Sequence, residues 1–198
     1  MSTPDFLNTH VLLQNNRARL EPLEEKHFAP LWQIAQQKEL WEFTTAKIDS
    51  EEDFRRYFDT ALQEVNDGLS YVWAIFDKEQ NKYAGCTRYG NISLLHKRVE
   101  IGWTWYDPKL QRSGLNRNCK LLLLTYGFDE LHLNRIELRT SHLNLKSQKA
   151  IEGIGATKEG VLRRHMIAEN GFVRDTVYYG MIREEWPEIK LRIFNKYL

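Results

Sequence analysis

The tightest constraint in the chain is one strand with the loop and helix that continue from it. In Val99–Tyr106, Val99, Ile101, Trp103 and Trp105 point one way, while Glu100, Gly102, Thr104 and Tyr106 point the other. Asp107-Pro108 stops the run, because proline cannot donate to a strand ladder. A loop, Lys109 to Leu115, leads into a helical segment in which Leu121, Leu124, Phe128 and Leu131 recur at spacings of three, four and three. A strand joined in this way to an amphipathic helix belongs to a layered fold, since each element must cover the other's apolar side.

The flanking segments fill in the layers. A short strand at Arg17–Leu20 ends at Pro22, and Glu24–Gln37 reads as a helix with Phe28, Leu31, Ile34 and Ala35 on one stripe. Ser50 can cap a second helix with Asp53 answering it; Phe54, Phe58, Ala61 and Val65 continue its apolar face, and Asp67-Gly68 ends it. Tyr71–Phe76 and Tyr83–Asn91 form a hairpin around the polar turn Asp77–Lys82. Further on come a strand at Arg135–Thr140 and a helix over Lys146–Ile154 closed by Gly155. The chain then forms a hairpin, Val161–Ile167 and Phe172–Ile182, turned at Asn170-Gly171, and a tail helix near Trp186-Pro187. Residues 1–10 read as a lead-in. The order β-α-α-β-β-β-α-β-α-β-β predicts an α/β single domain over residues 1–198, its core within about 10–190, with a mixed sheet and helices on both faces.

Composition removes several classes. Lys+Arg is 28 and Asp+Glu is 27 among 198 residues, a net charge of +1 that argues against a dedicated nucleic-acid binder. The longest aliphatic run, Leu121–Leu124, falls far short of the roughly 20 residues of a membrane span. The opening MSTPDFLNTH lacks the pattern of a signal peptide, so a cytoplasmic protein is expected. Cys86 and Cys119 read as free core thiols. His142 and His165 lack ligand spacing, so no metal is expected. Trp32, Trp41 and Trp73 read as core, and Asp175 as one half of an ion pair bracing the last hairpin.

The chemistry concentrates in Gln111-Arg112-Ser113-Gly114-Leu115-Asn116. A loop ending at a helix N-terminus offers backbone N–H groups that have no intrahelical partner, and the helix dipole adds positive potential. That suits a phosphate, with Gly114 allowing close approach and Arg112 and Arg117 at the rim. An ordinary turn with solvated arginines is the other reading of the same residues.

This hexapeptide resembles the Gln/Arg-x-x-Gly-x-Gly/Ala signature of GCN5-related N-acetyltransferases (GNAT). EIGWTWYDPKLQRSGLNRNCKLLL, RIELRTSHLNLKSQKAIEGIGATKEGVLRRH and GFVRDTVYYGMIREEWP are similar to the branch containing ribosomal-protein N-terminal acetyltransferases. Asn116 departs from the signature and sets a side chain near the expected diphosphate. The resemblance implies a mostly antiparallel sheet of about seven strands with one splayed parallel pair. It implies acetyl-CoA as co-substrate, the pantetheine arm along Trp103, Thr104 and Trp105, and the diphosphate on amides of Arg112 to Asn116 after Gln111.

The same resemblance assigns candidate chemistry. Glu100 matches the carboxylate the family often carries in this strand; a solvated or substrate-facing base and a salt bridge to Arg98 or Arg139 are both open to it. The tyrosine that many relatives use as an acid is replaced by Ile151. In Asn144-Leu-Lys-Ser147, Asn144 is expected to hold the pantetheine and Ser147 to bond the departing sulfur, or Ser147 to cap a helix. The expected reaction is direct acetyl transfer to a primary amine, foremost a protein or peptide N-terminus. A small amine (antibiotic, polyamine or amino acid) and a non-catalytic acyl-CoA-binding module stay open, as does a homodimer.

Overall fold

The computed structural model describes residues 11–197; the expected lead-in over 1–10 lies outside them. One sheet contains β1 (Leu13–Gln14), β2 (Ala18–Pro22), β3 (Tyr71–Asp77), β4 (Lys82–Ser93), β5 (Arg98–Tyr106), β6 (Arg135–Ser141), β7 (Thr157–Ile167) and β8 (Val173–Ile182). Their spatial order is β1-β2-β3-β4-β5-β6-β8-β7. The sheet therefore has eight strands rather than about seven, because β1 is too short to display a period. Every neighbouring pair is antiparallel except β5 and β6.

Helices α1 (Phe28–Ala35) and α2 (Glu51–Asn66) cover one face. Leu31, Phe54 and Phe58 pack there on Val72, Ala74 and Trp105. On the other face lie α3 (Leu115–Thr125), α4 (Leu145–Glu152) and α5 (Trp186–Phe194). Leu115, Leu123, Ile151 and Ile189 join Trp73, Ile101 and Ile136 in that core.

Helix α1 is shorter than its stripe predicts. Pro30 sits in its first turn, where a missing N–H costs nothing, and a 3-10 turn at Glu25–His27 precedes it. The α2 cap forms as expected: Asp53 N donates to Ser50 Oγ at 3.1 Å and Ser50 N donates to Asp53 Oδ2 at 2.9 Å. Beyond α3 the backbone widens into a π-helix over Tyr126–Glu130, which keeps Phe128 buried.

Strand β5 breaks its own alternation. Its register against β4 jumps from Cys86↔Trp105 to Arg88↔Gly102, so Trp103 and Thr104 both lie opposite Thr87. Trp103 takes the left-handed φ of 48°. This is a β-bulge, and one inserted residue exchanges the faces of everything after it. Val99 and Ile101 point to the α3 side as predicted, whereas Trp105 joins the opposite core beside Phe54 and Trp41. Strand β5 pairs with β6 only at Arg98↔Arg135, Val99↔Ile136 and Glu100↔Glu137. Past Glu100 the two strands diverge, leaving one edge of β5 open.

Candidate active site

The loop after β5 is built to leave amides free. Gln111 N donates to Pro108 O at 3.1 Å and Ser113 N to Leu110 O at 3.3 Å, while Leu115 N faces Ser113 Oγ at 3.4 Å. Asn118 N makes the first regular bond of α3, to Gly114 O at 3.1 Å. Among the described residues this leaves the amides of Arg112, Gly114, Asn116 and Arg117 without partners. Arg112 (φ 62°) and Gly114 (φ 88°) are left-handed, and glycine adopts that conformation at least cost. Four free amides at the positive end of a helix fit a diphosphate. The set differs from the expected Arg112–Asn116 run: Ser113 N is taken by the turn and Leu115 N by Ser113 Oγ, while Arg117 N is added. The Asn116 side chain is held toward β5, because Tyr106 Oη donates to its Oδ1 at 2.9 Å.

Glu100 lies on the α1/α2 side of the sheet, but it is not solvated: only 4% of it is exposed. Arg139 Nε donates to its Oε1 at 2.9 Å and Asn91 Nδ2 donates to its Oε2 at 2.6 Å. Burial raises its pKa, against the pull of Arg139 and Asn91. Gly102 lets the backbone lie against the carboxylate, since a Cβ there would fall 2.9 Å from Glu100 Oε1.

Around Glu100 stands a stack of arginines and one indole. The Arg88 and Arg139 guanidinium carbons lie 5.0 and 5.9 Å from the Trp103 ring centre. Arg88 is bound to Glu64 at 2.6 Å and Arg139 Nη1 donates to Tyr178 Oη at 3.2 Å. Arg174, on the same face of β8 as Thr176 and Tyr178, donates to Phe43 O at 2.9 Å. Among the described residues Arg174 has no carboxylate partner, and burial lowers its pKa. Nothing in the sequence alone grouped Arg88, Arg139 and Arg174; a charged residue inside the apolar run of β4 was the available signal for Arg88.

At the head of α4 the cap is Asn144, whose Oδ1 accepts from Ser147 N at 3.0 Å. Ser147 is thus the capped residue rather than the cap, with its hydroxyl left for other work. Asp175 braces the hairpin by accepting from Arg164 N at 2.7 Å, a backbone hydrogen bond in place of the expected ion pair. Cys86 and Cys119 are buried free thiols, which burial pushes up to about 11 and about 12. Trp73 and Trp41 are core residues.

Sequence reasoning missed Lys120. Only 6% exposed on α3, it donates to Thr104 Oγ1 at 3.0 Å, and burial lowers its pKa to about 8. A lysine inside Cys119–Leu124 was the visible signal.

A family model described as an acetyltransferase (GNAT) domain matches residues 17–157. The chain belongs to the GNAT family. It is an acyltransferase of that family, whose members use acetyl-CoA as co-substrate. It is 30% identical over 134 residues to YdaF of Bacillus subtilis, named as a candidate ribosomal N-acetyltransferase; the match spans 68% of this chain and 67% of that one. A candidate acetyltransferase from T. thermophilus superposes with a TM-score of 0.86 at 28% identity, covering 100% of both chains. The fold is shared with the Salmonella typhimurium acetyltransferase that modifies the N-terminal serine of 50S ribosomal protein L7/L12 (TM-score 0.76, 22% identity, 87% of this chain and 99% of that one). No described helix is long and apolar enough to cross a membrane.

Proposed function

We propose that this GNAT enzyme acetylates the N-terminal amine of a peptide or protein, in a complex holding acetyl-CoA and acceptor together. The observation that carries the reading is the pairing of four free amides at the head of α3 with the unpaired edge of β5. The first suits a diphosphate, and the second suits an amide-bearing chain added like a strand. Arg112, Gly114, Asn116 and Arg117 hold the anion in this reading, while Trp103, Thr104 and Trp105 line the arm. Asn144 has its Oδ1 committed to the α4 cap, so its Nδ2 is the group that meets a ligand carbonyl. Acetyl-CoA supplies an activated thioester.

The chain's own residues handle the protons. An N-terminal amine with a pKa near 8 is only about one-tenth neutral at pH 7, so a base that takes its proton speeds the attack. Glu100, whose pKa burial raises, accepts that proton through water. The Ser147 hydroxyl bonds the departing sulfur.

The acceptor class follows from charge and kinship. Arg88, Arg139 and Arg174 outnumber the carboxylates paired with them, Glu64 and Glu100, which disfavours polyamines and aminoglycosides and admits a singly charged N-terminus. The name of the 30%-identical relative points the same way. Treating a cell extract with the enzyme and isotopically labelled acetyl-CoA, then mapping label by mass spectrometry, tests this. Label on protein N-termini is expected; label confined to lysine side chains or small amines contradicts it.

A further inference from the structure

We infer that Lys120 is a cofactor-binding residue, its buried ammonium group donating to a carbonyl oxygen of the acyl-pantetheine arm laid along the open edge of β5. The inference rests on the reading of that edge as the acetyl-CoA site. An ammonium group has three protons to donate, and Lys120 uses one, toward Thr104 Oγ1 at 3.0 Å. Thr104 is already tied to Thr87 Oγ1 at 2.8 Å and Gly102 O at 3.3 Å. Among the described residues no carboxylate pairs with Lys120, although it is buried, and an interior charge without a partner is costly. An apolar side chain would serve packing better. Two unused donors therefore mark a place for an acceptor that arrives with a ligand.

The location names that ligand. Thr104 belongs to the bulge, in the part of β5 that has parted from β6. Lys120 lies six residues along α3 from Gly114, a rise of about 9 Å, and three from Arg117, a rise of about 4.5 Å. A chain anchored there by its diphosphate and running beside β5 passes this position with its amide or thioester carbonyls. Neighbouring groups leave the charge to Lys120 alone. Burial holds the Cys119 thiol up at about 12 and the Tyr106 and Tyr89 phenols well above their usual range. Asp77 is paired with Arg17 at 2.9 Å, Thr87 is neutral, and α5 presents Ile189 and Phe194.

Calorimetric titration of acetyl-CoA into the wild-type protein and Lys120→Met, from pH 7 to 9.5, tests the inference. Losing a hydrogen bond from a charged donor is expected to weaken binding about 10- to 100-fold. Wild-type affinity should also fall as pH rises through 8, where the ammonium loses its proton, while Lys120→Met stays flat. Equal affinities for the two proteins, or a wild-type affinity independent of pH, overturns the role. The pH series on the wild type decides even if the variant folds poorly. A wild-type protein that binds no acetyl-CoA removes the underlying reading and the inference with it, a result distinct from equal binding by both.

Discussion

Glu100 holds its carboxylate inside the protein, where burial raises its proton affinity and Arg139 opposes that rise. Burial is the larger effect, so the group protonates at a higher pH than an ordinary glutamate. As the base it must be ionised, and kcat/KM should therefore fall on acidification at a pH above the usual glutamate range. Glu100→Gln is expected to lower kcat roughly 100-fold and to flatten that acid limb. A variant with wild-type kcat and an unchanged pH profile would reduce Glu100 to half of an ion pair. The sequence placed Glu100 on the correct side of β5 and named Arg139 as one partner. It did not show the burial, because the residues that cover Glu100 come from strands distant in the chain. Asn116 illustrates the same limit: its type was visible, but the Tyr106 hydroxyl that holds its side chain toward β5 was not.

At the scale of elements, alternation and capping located every strand except β1 and set the helices within a few residues. The bulge in β5 escaped because a period of two carries no mark of an inserted residue. It placed Trp105 with the wrong core, and it put Thr104 over Lys120. Helix α3 bears the consequence. A lysine that titrates at about 8 instead of 10.5 costs the fold about 3 kcal/mol while it is charged. Between those two values the unfolded chain binds more protons than the native one, so this cost is present below pH 8 and fades as pH rises toward 10.5. Thermal melts of the ligand-free proteins should show Lys120→Met more stable than wild type at pH 7, with the gap closing by pH 10. A variant less stable at pH 7 would mean that the lysine is structural in the ordinary sense.

For the whole molecule, the net charge of +1 conceals a local excess of arginine beside Glu100. Around Glu100, where the acceptor is proposed to bind, Arg88, Arg139 and Arg174 outnumber the carboxylates paired with them, Glu64 and Glu100, and this balance was invisible to composition. Spermidine should accordingly be a poor acceptor, with kcat/KM at least about 10-fold below that of a peptide bearing one free N-terminal amine. Equal rates on both would place the acceptor elsewhere. Fold and the loop before α3 were readable because local rules determine them: a strand, a loop with a left-handed glycine, a helix start. The arginine group around Glu100 was not, since it is assembled from β4, β5, β6 and β8. A crystal structure with bound coenzyme A tests the central claim most directly. It should show the diphosphate on the amides of Arg112, Gly114, Asn116 and Arg117, with the pantetheine arm beside β5 past Glu100; a diphosphate bound away from the head of α3 would contradict it.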